Sequence, residues 1–199
     1  LDLADRLRPG CVVGVDPSSA ALEAARGAAR RRNDGTTRFR PADVYTLPFR
    51  RGEFDVVHAH QLLQHLQDPV AALSQMGRVA GRLVAVRDTE YRTMSWYPLV
   101  PGLDMWLETY RAVAKANGTQ PDAGRYLLSW AHAAGLTNTT VTASTWCYAD
   151  PASANWWARS QAARVRSEAF TRQATALGRS ASDVKKMAQA WITWGHSPD

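Results

Sequence analysis

Lysine, isoleucine and cysteine are scarce in this chain. Among 199 residues there are three Lys, a single Ile (Ile192) and two Cys, Cys11 and Cys147. Two cysteines cannot build a disulfide framework, so both are expected as buried, reduced thiols of a cytoplasmic protein. No stretch approaches the ~20 apolar residues of a membrane-spanning helix, and no membrane span is expected. The opening LDLADRLRPG shows no apolar signal core. Acidic residues are the minority: 24 Lys and Arg face 18 Asp and Glu, for a net charge of +6. A basic balance raises the question of nucleic acid. Yet nearly all the cations are Arg, scattered from Arg6 to Arg179, which reads with the abundant Ala as a GC-rich coding bias. The one dense cluster, Arg30-Arg31-Arg32, falls at the end of a predicted helix, where cations complement the helix dipole. No nucleic-acid partner is expected. With 45% hydrophobic and 21% charged residues, the chain is that of an ordinary globular protein, of one domain or one with an appendage.

Hydrophobic periodicity supplies the elements. Leu1, Leu3, Ala4 and Leu7 have helical spacing, ended by Pro9-Gly10. Cys11-Val12-Val13-Gly14-Val15 is a short apolar run that suits a strand buried on both faces. Ala20 to Arg32 is helical, capped by Ser18 or Ser19. Strands are expected over Thr37–Arg40, Phe54–Ala59 and Arg82–Arg87, with a helix opened by Pro69 and running to Val79. Alternation of this kind implies an α/β fold with a parallel sheet. Beyond residue 95 the spacing predicts helices over Leu103–Ala116, Arg125–Ala134, Ala152–Leu177 and Ser182–Trp194. Thr139–Tyr148, rich in Thr and Val, reads as a strand.

Three places carry chemistry. Asp16 closes the first predicted strand, and ligands of open α/β sheets bind beyond such strand ends. A carboxylate there can accept from two vicinal ribose hydroxyls, or it can simply cap the next helix. Asp43, in Ala42-Asp43-Val44, can accept from an exocyclic amine while the Val44 amide donates to a ring nitrogen; the alternative is a turn residue. His58, His60 and His65 invite a metal reading, but nothing completes a ligand set at a known spacing, and no metal is expected. His65 and His60 are the candidate general bases, because imidazole titrates near neutrality.

Val12-Val13-Gly14-Val15-Asp16, then Asp43 before Leu47-Pro48-Phe49, then Phe54-Asp55-Val56-Val57, His65-Leu66-Gln67-Asp68-Pro69 and a strand ending Arg87-Asp88 together resemble a class I S-adenosylmethionine-dependent methyltransferase. Within that superfamily the chain is similar to the ubiquinone/menaquinone-biosynthesis-like group acting on small molecules. The likeness covers about residues 1–95. It implies a Rossmann-like, mostly parallel sheet over 1–95, a helical substrate cover over 96–135, a late core strand over 136–150 and a further helical segment over 151–199. It also implies the roles. Asp16, followed by Pro17, would hold the ribose of S-adenosylmethionine, and Asp43 and Val44 the adenine. His60 and Gln61 would line the methionine side. Arg87, Asp88, Trp96, Tyr97, Trp106 and Tyr110 would face a small-molecule methyl acceptor, aromatic or lipophilic, in a monomer or homodimer.

The chain departs from the family pattern in three ways. It has no glycine-rich loop after a first strand, a short turn at Val79-Ala80-Gly81-Arg82, and no hairpin partner for Thr139–Tyr148 before Asp199. The expectation is that further sequence belongs before Leu1, near Ala80 and after Asp199. The rival enzyme is a nicotinamide-dependent oxidoreductase, which also uses an acidic residue after its second strand but leaves Asp43-Val44 and His65–Pro69 without a role. A non-catalytic module, binding nucleic acid or sensing the cofactor, is the rival from another class.

Overall fold

The computed structural model describes residues 2–7 and 9–197. Its elements follow the α/β alternation: α1 (Asp2–Arg6), β1 (Val12–Asp16), α2 (Ser19–Arg31), β2 (Thr37–Pro41), β3 (Phe54–His60), α3 (Pro69–Val79), β4 (Ala80–Arg87), α4 (Leu103–Ala116), α5 (Leu127–Ala133), α6 (Pro151–Arg166), α7 (Glu168–Ala176) and α8 (Ala181–Gly195). Leu1, expected at the start of the first helix, lies outside the described residues. Strands β1 and β2 pair in parallel, and β3 pairs with β4 in a second two-stranded sheet. Among the described residues no helix is long and apolar enough to cross a membrane.

The chain gathers into two compact units that do not follow the boundaries expected at 95, 135 and 150. One takes the chain up to His58, Val70–Ala85 and Ala131–Leu136; the other takes Ala59–Pro69, Val86–Trp130 and the chain from Thr137. In the first unit α2 begins at Ser18, whose hydroxyl accepts from the Ala21 N–H, as a helix N-cap should. Arg78, at the end of α3, holds the loop after β2 by donating to the carbonyls of Leu47 and Phe49, both at 2.7 Å.

The second unit is built on a helical core. Leu103, Trp106 and Val113 of α4 form one buried stripe and meet Val165, Met187 and Trp191 of the later helices. Trp106 stands edge-on to Trp191 at 4.6 Å. Helices α6 and α8 pass so closely that a Cβ on Gly195 would overlap Ala158. The predicted helix over Ala152–Leu177 is broken at Ser167. That residue is extended, and its hydroxyl accepts from the Phe170 N–H to start α7.

Two expectations are corrected. Residues 139–148, read as a late core strand, form no strand. Thr and Val favour extended backbone, but a strand exists only with a ladder partner, and none pairs with this segment among the described residues. Cys11 and Cys147 are free but exposed rather than buried. Cys11 lies just ahead of β1, outside the ladder that covers the strand.

Gln161 of α6 is wholly buried, and neither its side-chain oxygen nor its nitrogen has a hydrogen-bond partner among the described residues. An unmet buried polar group costs ~1–3 kcal/mol. Gln161→Met keeps the volume and removes the unmet amide, so it should raise the melting temperature by several degrees, at ~2–4 °C per kcal/mol for a chain of this size. Thermal unfolding checks this. A fall instead would mean that a bound water or ligand satisfies the amide in solution.

Candidate functional site

The parallel register of β1 and β2 pairs Val12 with Thr37 and Asp16 with Pro41. Both strands therefore end at the same edge, where the Ala42 N–H donates to the Asp16 carbonyl at 3.3 Å. This brings Asp16, at the end of β1, and Asp43, two residues past β2, to one side of the first unit. The two carboxylates are held alike. Asp16 Oδ1 accepts from the Ser18 N–H at 2.8 Å, and Asp43 Oδ1 from the Tyr45 N–H at 2.9 Å. In each case Oδ2 has no hydrogen-bond partner among the described residues. Asp43 also caps a one-turn 3-10 helix, Val44–Thr46. The Val44 N–H, at its first position, is left without a backbone acceptor. Pro17 follows Asp16 with no N–H to offer. The shared edge of β1 and β2 thus carries two carboxylates, each with one oxygen bound to its own turn, and the Val44 amide.

In the second unit β3 ends at His60 and the backbone turns through Gln61, which adopts a left-handed conformation with φ of 54°. A non-glycine residue pays for that conformation, and such positions concentrate at functional sites. The Gln61 N–H donates to the Arg87 carbonyl at 2.8 Å. A one-turn 3-10 helix follows over Leu63–His65. Asp88 braces it: Oδ2 accepts from the Leu63 N–H at 3.1 Å and Oδ1 from the Gln64 N–H at 3.3 Å. Asp88 thus serves backbone with both oxygens, rather than presenting a free carboxylate to an acceptor. Burial pushes its carboxyl up to about 6, against the pull of the Gln64, Leu63 and Leu62 N–H groups. His65 ends the braced turn. Partial burial and then the nearby charge of Arg164 hold its imidazole below its ordinary value. It is neutral at pH 7 and able to take a proton.

The same unit holds a cavity of about 570 Å³ lined by Gln61, Thr145, Trp146, Cys147, Tyr148, Trp156 and Trp157. Tyr148 and Trp157 lie nearly parallel, their rings 4.7 Å apart. The Arg87 guanidinium lies 4.9 Å from the Trp146 ring and donates to Ser144 Oγ at 2.8 Å. The His60 ring meets Trp146 edge-on at 5.7 Å. Of the residues expected to face the acceptor, Arg87 reaches this wall through Trp146. Trp106 is wholly buried in the helical core. Tyr110 stacks on it at 5.6 Å and lies against Tyr91, and burial raises its phenol pKa. Trp96 packs on the same core, while Tyr97 is 77% exposed. None of these four lines the cavity. Its aromatic walls come instead from residues 146–157, where four aromatics fall within twelve positions. That density was visible in the sequence but was divided between a predicted strand and a predicted helix. Among the described residues no group of three or more His, Cys, Asp or Glu could hold a metal ion.

Comparison with known proteins places the chain. The profile of a methyltransferase domain matches residues 2–83. An uncharacterized methyltransferase of Schizosaccharomyces pombe is 35% identical over 195 residues, covering 93% of this chain and 69% of that protein. The chain belongs to the methyltransferase family. A demethylmenaquinone methyltransferase of Beutenbergia cavernae is 34% identical over 118 residues, 57% of this chain and 48% of that protein, so the chain spans about half of that relative. Among solved structures, a geranyl diphosphate methyltransferase in complex with SAM superposes with a TM-score of 0.53 at 17% identity, covering 98% of this chain and 68% of that one. At that identity the likeness establishes the fold, the mixed α/β architecture of class I methyltransferases.

The Asp88 brace has a pH signature. A carboxyl whose pKa is raised on folding binds more protons folded than unfolded between pH about 4 and about 6. Its favourable contribution is therefore complete below the ordinary carboxylate value and is lost as pH rises through about 6. Over that window the wild type should lose stability relative to Asp88→Asn, which does not titrate. Urea unfolding of both at a series of pH values checks the slope, and parallel curves would show that the carboxyl is not perturbed.

Proposed function

We propose that this protein transfers a methyl group from S-adenosylmethionine to a small aromatic or lipophilic molecule by direct displacement. The observation that carries the reading is Asp16: a carboxylate at the end of β1 with one oxygen committed to backbone and the other open. The residues fit the group. Two vicinal ribose hydroxyls are donors and suit the open carboxylate, with bonds of the strong charge-assisted kind. Asp43 and the Val44 N–H offer an acceptor and a donor side by side, the pattern that adenine requires. When bound, S-adenosylmethionine supplies a methyl group on a sulfonium, a good and neutral leaving group.

The protein's own task is then mainly alignment and exclusion of water. Holding two reactants in line is worth ~7–11 kcal/mol of a barrier. Gln61, fixed at its strained turn, and His60 beside it are the residues we assign to the methionine side. His65 is the residue we assign to take a proton from the acceptor, its neutral imidazole nitrogen being the acceptor site for that proton. The relatives named methyltransferases support the class of reaction, and the family assignment leaves the nicotinamide and nucleic-acid readings without a supporting observation. Two free, exposed thiols are in keeping with the cytoplasm. A monomer or homodimer is the proposed state.

Asp16→Ala should lose about a hundredfold or more in affinity for S-adenosylhomocysteine, since two hydrogen bonds to a charged group are worth ~1.5–3 kcal/mol each. Calorimetry reads this directly, and an unchanged affinity would remove Asp16 from the site. Asp43→Ala should lose less and should also lose preference for the adenine over the hypoxanthine form of that product. A preference retained in full would leave Asp43 as a turn residue only.

A further inference from the structure

We infer that the loop at residues 97–101 and the outer face of α8 form one docking surface for an anionic lipid bilayer. The inference goes beyond the methyl-transfer reading and does not depend on it.

The first observation is the loop tip. Tyr97 and Leu99 are 77% and 80% exposed, the highest values among the large apolar side chains described. One exposed apolar residue is ordinary, whereas two on one tip mark a contact surface. The tip is firmly seated. Val100 packs on the helical core behind it. The Trp194 indole N–H donates to the Tyr97 carbonyl at 3.1 Å, and Pro98 and Pro101 restrict the backbone. The fold therefore holds Tyr97 and Leu99 out in water, an exposure that burial in an apolar phase would relieve.

The second is charge. The chain has only three Lys, and two of them, Lys185 and Lys186, are adjacent on α8. Ser182, Lys185, Lys186 and Gln189 are exposed and three or four residues apart, so they share one helical stripe. With Val100 and Pro101 they line a cavity of about 440 Å³. Gly102 seats the loop on the same helix: a Cβ there would stand 3.1 Å from Ala190 and 3.3 Å from the Lys186 carbonyl. The apolar tip and the two lysines are thus neighbours. No carboxylate lines the cavity. Asp183, one turn ahead of Lys186, accepts from the Ser180 N–H and hydroxyl, both at 2.8 Å. Glu108 pairs with Arg179 at 3.5 Å, and Asp104, in the first turn of α4, lies outside the lining.

Together these select the partner. Apolar side chains flanked by lysines suit the boundary where acyl chains lie beneath phosphate headgroups, and an anionic leaflet attracts each cation. Lysine is depleted from protein–protein interfaces. A second copy docked on the same face would set lysines near lysines, with no carboxylate in the cavity to meet them. No described helix is long and apolar enough to cross a membrane, so the contact is made at the surface.

Co-sedimentation with vesicles tests this, using phosphatidylcholine alone and an equal mixture of phosphatidylcholine and phosphatidylserine. The wild type should bind the mixed vesicles about tenfold or more tighter than the neutral ones, and less tightly as salt rises. Lys185→Gln combined with Lys186→Gln should weaken binding to the mixed vesicles about thirtyfold and leave neutral vesicles unaffected. Leu99→Ser should weaken binding to the mixed vesicles about tenfold. Lys115→Gln, at the far end of α4, is the control and should stay within about twofold of wild type. All these side chains are exposed, and circular dichroism checks that each variant folds. No binding to the mixed vesicles, equal binding to both kinds, full binding in either surface variant, or an equal loss in Lys115→Gln would overturn the inference. Sedimentation equilibrium reads the rival occupant: a dimer that Leu99→Ser dissociates, without vesicle binding, would assign the face to a second copy. S-adenosylhomocysteine affinity in Asp16→Ala is read separately, so either proposal can fail alone.

Discussion

Strands β1 and β2 run the same way, and their register sets Asp16 opposite Pro41. Everything proposed for the nucleoside half of the site depends on that parallel ladder. In an antiparallel pair the two chain exits would lie at opposite ends, and Asp16 and Asp43 would not share an edge. Parallel pairing requires a long crossover, which α2 supplies between Asp16 and Thr37. The same crossover leaves each strand end followed by a turn with spare amides. Each carboxylate spends one oxygen on its own turn and keeps the other, so the feature that fixes the side chain also presents it.

A comparable economy governs the second unit. Asp88 is the first residue past β4, and its two oxygens gather the amides of the turn after β3. The turn in turn fixes Gln61 in a conformation that a free chain avoids. Gln64 extends the brace: its side chain accepts from Thr89 at 2.7 Å and its carbonyl from the Gln120 N–H at 2.9 Å. Burial raises the Asp88 carboxyl, and at His65, which ends the braced turn, burial and then the charge of Arg164 lower the imidazole.

Local pattern made much of this legible. Helix α4 spans the residues that its stripe of Leu103, Trp106, Tyr110 and Val113 predicts, and α2 starts from the Ser18 cap. The strand-end position of Asp16 is equally readable, because an apolar run followed by an acid marks a strand exit; Asp43, past the mixed run Thr37–Pro41, reads locally as a turn residue. Tertiary information was not. Thr139–Tyr148 has strand composition without a strand, since pairing depends on a partner that composition does not reveal. Ser167 breaks a helix whose periodicity continues past it, because a hydroxyl capping its own backbone outweighs the pattern. Trp106 and Tyr110 show the limit most clearly. Aromatic residues at helical spacing fit a pocket or a core equally well; here Trp106 is buried against Trp191 of α8, and Tyr110 packs on Trp106 and Tyr91. The aromatics of residues 146–157 carried no periodic signal and came to line a cavity.

The central claim is that the shared edge of β1 and β2 holds the nucleoside of the methyl donor. Amide hydrogen exchange with and without S-adenosylhomocysteine tests it most directly. Binding should slow exchange at Ser18 and at Val44 and Tyr45, the amides beside the two carboxylates. Saturating binding that leaves those amides unchanged while protecting others would contradict the account.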